Sequence, residues 1–235
     1  MRARWWFCLG LLALPLAVFA QPAADNPLGM SRTDTAQAHF IYFDPLGFLA
    51  PHAVQTFKNS WEWQRARFGW TPSEPVTVLL MDWSDYGNAG AVGAPHSRII
   101  FQVSPPSHAF ETNTASERFY STLNHELVHI VQADVASPED AFWRGFFLGK
   151  VGASASNPET ILYNYLTTPR FSAPRWYVEG TAVFMETWMG GGLGRAQGGY
   201  DEMVFRAMVR DKDPFYDPLG IESKGVRSDF QALAN

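Results

Sequence analysis

The stretch Asn124-His125-Glu126-Leu127-Val128-His129-Ile130-Val131-Gln132 constrains this chain more than any other. Two histidines four positions apart fall one turn apart on one face of an α-helix. From there two imidazoles reach a single metal ion from the same side, each at about 2.0–2.1 Å. A carboxylate directly after the first histidine points toward that face but off the metal axis, where it can hold a water and take its proton. His125 and His129 are therefore read as metal ligands and Glu126 as a general base. The competing reading is a structural helix whose polar groups are satisfied within the core. Leu127, Val128, Ile130 and Val131 are apolar, and Leu123 lies one turn back. Burial of this kind fixes ligand rotamers, whereas two histidines and a glutamate without partners are costly in a core.

Composition supplies the body around that helix. The 235 residues are 46% hydrophobic and 17% charged, which fits one globular domain rather than a disordered or fibrous chain. A formal charge of −5 argues against a nucleic-acid partner. The first twenty residues read as a secretory signal peptide. Arg2 and Arg4 form a basic start, Trp5 to Val18 an apolar run, and Val18-Phe19-Ala20 a small-residue cleavage site. A retained membrane anchor is the alternative, but the run is short for a span. Cleavage after Ala20 removes Cys8, the only cysteine, so the mature chain relies on packing or metal rather than disulfides. No later run is long enough to cross a bilayer. The expected location is periplasmic or extracellular.

Residues 21–36 are polar and Pro-broken and read as a linker; residues 37–235 form the domain. His39–Phe43 is β-prone and stops at Asp44-Pro45-Leu46-Gly47. Pro51 opens a helix to about Phe68, with Val54, Phe57, Trp61 and Arg65 on one face, and Gly69 ends it. Pro75–Met81 and Arg98–Val103 are strands, and the Gly/Ala-rich run Tyr86–Gly93 between them reads as a turn. The motif helix spans Ser116 to about Ala133. The aromatic segment 141–148 reads as a helix covering the core, with a lid or membrane contact as the alternative. Short helices follow over Pro158–Leu166, Pro174–Met189 and Tyr200–Lys212, the last with Met203, Val204, Ala207 and Met208 on one face. Ser228 to Asn235 looks like a helix just begun, so the domain is expected to continue beyond it.

A catalytic zinc site takes three protein ligands and keeps one position open. His39, His52, His96 and His108 are isolated, and a third histidine shortly after His129 is missing because Gln132 and Val135 occupy the relevant positions. Glu179 is the better third ligand: its helix is otherwise apolar, so the carboxylate needs a partner, and Gly180 beside it allows close backbone approach. An exposed glutamate favoured by the helix dipole remains the alternative. Glu186, two turns further along, is expected to matter less.

The pair Asn-His-Glu-Leu-Val-His-Ile-Val-Gln and Pro-Arg-Trp-Tyr-Val-Glu-Gly-Thr-Ala-Val-Phe resembles the gluzincin metallopeptidases, most of all the bacterial peptidase-MA-like group with its Trp-x-x-Glu-Gly helix. The likeness covers about residues 85–235. It implies a zincin-like α+β fold: a small mixed or antiparallel sheet with an edge strand beside the motif helix, and a second helix carrying the third ligand. It implies one Zn²⁺ on His125, His129 and Glu179, with Glu126 as base, in a secreted peptidase domain. Strand Arg98–Val103 would be the edge that pairs with an extended peptide, with Ile99, Ile100 and Phe101 at the substrate. The gap between His129 and Glu179 is longer than in thermolysin-like members, and the insertion could serve as a lid. Such enzymes also use a Tyr or His to steady the oxyanion; Tyr200 and Tyr216 are available, though neither sits in a matching motif. The expected function is peptide-bond hydrolysis. The rivals are a non-catalytic peptide- or glycan-binding module of a larger surface protein, and a hydrolase of non-peptide amides.

Overall fold

The computed structural model describes residues 28–85, 87–105, 117–152, 154–167 and 173–212. The signal peptide expected over 1–20, His108, Tyr216 and the helix expected from Ser228 lie outside the described residues.

The described chain is a mixed α+β fold with one small sheet and six α-helices. Strands β1 (Met30–Asp34), β2 (Ala38–Phe43), β3 (Val76–Met81), β4 (Asn88–Val92) and β5 (Arg98–Gln102) pair in the order β1-β2-β3-β5-β4. The two inner pairings, β2 with β3 and β3 with β5, are parallel; the two outer ones are antiparallel. Helix α1 (Ala50–Phe68) makes the crossover between β2 and β3, as a parallel pair requires. Alternation places Phe40, Val78 and Leu80, Ile99 and Phe101 on one face of the sheet, where they bury against Ala53 and Phe57 of α1. Helix α2 (Arg118–Asp134) completes that core with Leu123, Leu127, Ile130 and Val131.

Two strand readings need correction. Tyr86–Gly93 is not simply a turn, because Asn88–Val92 forms β4, paired with β5 from Asn88↔Gln102 to Val92↔Arg98. Arg98–Val103 is consequently not the edge strand. Both backbone edges of β5 are taken by β3 and β4, Ile99 and Phe101 are fully buried, and Ile100 is half-buried. None of the three is placed to pair with a peptide; that edge belongs to β4. The polar segment read as linker also contains β1, which pairs with β2 from Met30↔Phe43 to Asp34↔His39.

Helix α1 has Pro51 in its first turn and is capped by Gly69, whose φ of 58° is the left-handed conformation that glycine accepts without strain. Its buried stripe runs through Ala53, Phe57, Ser60 and Gln64, displaced from the expected face, and Arg65 is exposed. Helix α3 (Pro138–Phe146) begins at a capping box between Ser137 and Asp140. It does not cover the core: Phe142 and Phe146 are 64% and 68% exposed, and Leu148 is 95% exposed. Phe147 instead packs on Tyr163 of helix α4 (Glu159–Thr167). Helix α5 (Arg175–Met189) lies against α2, with Ala182 and Met185 on Val128. Helix α6 (Gly199–Asp211) follows; Met208 is buried there, while Met203 is exposed. Among the described residues no helix is long and apolar enough to cross a membrane.

Candidate metal centre

Helix α2 is tied down at both ends. The carboxylate of Glu117 accepts from the amides of Phe119 and Tyr120, a cap that also suits the positive end of the helix dipole. At the other end Arg144 donates to the carbonyls of Ala133 and Asp134 at 3.0 and 2.7 Å. In between, Asn124 accepts from Gln64 of α1 and donates to the Met185 carbonyl of α5 at 3.4 Å. The residue before the first histidine thus links three helices and holds their spacing.

On that scaffold the predicted ligands meet. His125 Nε2 and His129 Nε2 lie 3.2 Å apart, and Glu179 Oε2 lies 3.4 and 3.5 Å from them. Donors at zinc-like distances around one tetrahedral ion are separated by about 3.3–3.4 Å. Two imidazole nitrogens and one carboxylate oxygen therefore stand at the spacing one cation requires, and the group His125, His129 and Glu179 can hold a metal ion. Side-chain exposures of 9%, 16% and 27% place His125 deepest and leave the His129–Glu179 side accessible to solvent. Glu179 is thus turned inward rather than out into solvent. Gly180 plays no packing part there, since a Cβ on it would meet nothing within 4 Å.

Each histidine has a second partner that orients its ring. With its proton on Nδ1, His125 donates to Glu186 Oε2 at 3.0 Å and keeps a lone pair on Nε2. His129 Nδ1 lies 3.1 Å from Gln132 Oε1, and Gln132 Nε2 donates onward to the Val178 carbonyl at 3.1 Å. Gln132 thereby links the second ligand to the backbone beside the third. Supports of this kind fix tautomer and orientation. Glu186, expected to matter less than Glu179, is 4% exposed and touches the first histidine. Helical spacing contained the information, because Glu179, Ala182, Val183 and Glu186 share one face, as do His125, His129 and Gln132.

Burial and charge set the protonation states. Burial opposes ionisation of Glu179 and Glu186, but their partners outweigh it. The His125 and His129 imidazoles beside it hold Glu179 well below the usual carboxylate range, and hydrogen bonds from His125 and Arg195 hold Glu186 down at about 2. Burial likewise disfavours a charged His125, yet Glu179 and Glu186 raise its pKa. Glu126, 7% exposed, is the carboxyl that moves the other way: burial pushes it up, with the two imidazoles pulling against the rise. A raised carboxyl beside a cation site suits a group that takes and returns a proton.

The other expected participants are not assembled. Ile99 and Phe101 are in the core, and Tyr200 opens α6 without a described side chain. His39, His52 and His96 each pair with a carboxylate away from the site: Asp34, Glu117 and Glu74 respectively. No protein-family model matches the chain, and neither does any curated protein or solved structure.

Proposed function

We propose that this chain is the catalytic domain of an exported zinc metallopeptidase with a zincin-like, gluzincin-type site. The observation that carries the reading is the trio of separations, 3.2, 3.4 and 3.5 Å, among His125 Nε2, His129 Nε2 and Glu179 Oε2. Two neutral imidazoles and a carboxylate form a donor set that suits zinc. A zinc ion held there supplies Lewis acidity toward a carbonyl and toward water. The chain's own residues do the rest. Glu126 takes a proton from the attacking water and delivers it to the departing amine nitrogen, a shuttle favoured by its buried, raised carboxyl. Glu186 and Gln132 keep the imidazoles oriented throughout.

β4 supports a peptide as the substrate. It is the sheet edge that packs against α2, and its outer backbone groups pair with no strand among the described residues. Gly93, directly after it, sits so close to Ala133 of α2 that a Cβ there would collide. An extended peptide adding to β4 would therefore run alongside the helix that carries both histidines. The test is digestion of a mixed peptide library by a chain that includes everything through Asn235. Cleavage that stops with a zinc chelator and returns with added zinc is expected. Cleavage that persists in chelator, or an absence of cleavage in zinc-loaded protein, contradicts the proposal.

A further inference from the structure

Glu186 is a buried carboxylate on the far side of His125 from the tripod, and a buried charge needs a partner to persist. Its partner comes from the turn after α5. Arg195 Nη2 lies 2.8 Å from Glu186 Oε2, Nε lies 3.2 Å from Oε1, and the Arg195 amide donates to Oε1 at 3.3 Å. Arg195 Nη2 is also 2.7 Å from His125 Nδ1. With the His125 proton on Nδ1, the same Glu186 Oε2 accepts from both nitrogens.

The turn is shaped to deliver this arginine. A Cβ on Gly190 would meet the Leu193 carbonyl oxygen at 2.6 Å, and one on Gly194 would meet the Thr187 Cα at 2.5 Å. Only glycines let the chain fold back this tightly along α5. Thr187 then accepts from the Ala196 amide at 3.1 Å, which fixes the short 3₁₀ turn Arg195–Gln197 against the helix. The Gly-Gly-Gly-Leu-Gly-Arg run at 190–195 is thus a backbone device that places a guanidinium behind a metal ligand.

We infer that Arg195 is a positioning residue for the metal centre: it holds Glu186 in place behind His125, so that His125 keeps its proton on Nδ1 and presents the Nε2 lone pair to the cation. The inference rests on the metal-centre reading above. Arg195 acts through Glu186, so its contribution to metal affinity exists only while Glu186 is a carboxylate. A guanidinium gives two directed donors to one carboxylate; a lysine ammonium keeps the charge without that fork.

The experiment is a double-mutant cycle read by zinc affinity, measured by chelator competition on the full chain, with circular dichroism confirming that each variant folds. Arg195→Met is expected to weaken zinc binding about 10- to 100-fold, the usual effect of losing a group behind a metal ligand. Arg195→Lys should recover part of that loss. Glu186→Gln should weaken binding by a similar factor, and Arg195→Met added to Glu186→Gln should cause no further loss. Parent-like zinc affinity in Arg195→Met overturns the inference, as does a full Arg195→Met loss that persists in the Glu186→Gln background. If Arg195→Met does not fold, the same comparison with Arg195→Lys decides: its deficit must vanish once Glu186 is Gln. A parent chain that binds no zinc overturns the metal-centre reading itself, an outcome distinct from zinc-binding parent protein indifferent to Arg195.

Discussion

Helix α2 carries two buried polar clusters, and they are built on opposite principles. At its C-terminal end Asp134 accepts from Trp70 Nε1 at 2.8 Å, from the Ser73 amide at 2.9 Å, from the Ser73 hydroxyl, and from Lys150 Nζ at 3.1 Å. Lys150 Nζ also reaches Ser97 Oγ at 2.7 Å and Glu74 Oε1 at 2.8 Å, so its three protons meet three acceptors. That cluster closes on itself and joins α2 to the entrances of β3 and β5. Two turns earlier, His125, His129 and Glu179 point their acceptor atoms at one another, while the outer nitrogens of both rings are engaged elsewhere. Each donor of the first cluster meets an acceptor; in the second, two imidazole nitrogens and a carboxylate oxygen converge at the spacing of one cation. Buried charge alone does not mark a candidate metal site; convergence of ligand atoms on one point does.

The largest effect is expected from Glu126→Gln, which keeps shape and metal but loses the proton acceptor: kcat should fall about 10²- to 10⁴-fold with zinc content unchanged. Steady-state kinetics beside elemental analysis checks this, and unaltered turnover would contradict the assigned role. Next is Lys150→Met in the closed cluster. It removes the ammonium that Asp134 and Glu74 share, and breaking a buried pair from one side costs about 3–5 kcal/mol. Denaturant unfolding should show that loss, while the folded fraction still binds zinc normally. Zinc binding that disappears with Lys150 would merge the two clusters into one unit.

Smaller effects sharpen the contrast. Gln132→Ala removes a neutral support from His129 and should weaken zinc by about tenfold, at the low end for such groups. Chelator competition measures it, and a loss exceeding that of Glu186→Gln would reverse the expected ranking. The smallest is a pH effect. Burial opposes the charge on Glu74, but Lys150, His96 and the Ser97 amide hold its carboxyl down at about 2 against an ordinary value of 4.5. A lowered folded-state pKa means that Glu74 contributes stability above about 4.5, and that this contribution drains away as pH falls toward 2. The stability gap between parent and Glu74→Gln should therefore narrow across that window; a gap that widens on acidification contradicts it.

How far the sequence could be read follows the same physics. The motif helix, β3 and α5 are legible from their apolar runs and bounding turn residues, α1 in its extent but not in its buried face. β4 was not, since Asn-Ala-Gly-Ala-Val has little strand propensity of its own and owes its form to pairing with β5. Missing it displaced the sheet edge by one strand and put Ile99 and Phe101 at the substrate rather than in the core. β1 was missed for a similar reason: Met-Ser-Arg-Thr-Asp is polar and half-exposed, and only β2 makes it a strand. The His125–His129 pair is legible from its spacing and Glu179 from its apolar helix, the groups behind them only partly. Glu186 shares a helical face with Glu179, but Arg195 reaches it through a glycine turn that no periodicity reveals.

If His125, His129 and Glu179 form one cation site, metal stoichiometry must depend on all three. Folded parent chain, exposed to zinc and then dialysed, is expected to hold about one zinc by elemental analysis. His129→Ala is expected to hold almost none, and Glu179→Gln is expected to hold zinc only when the metal is in excess. Parent protein without zinc, or full zinc retained in His129→Ala, would contradict the claim.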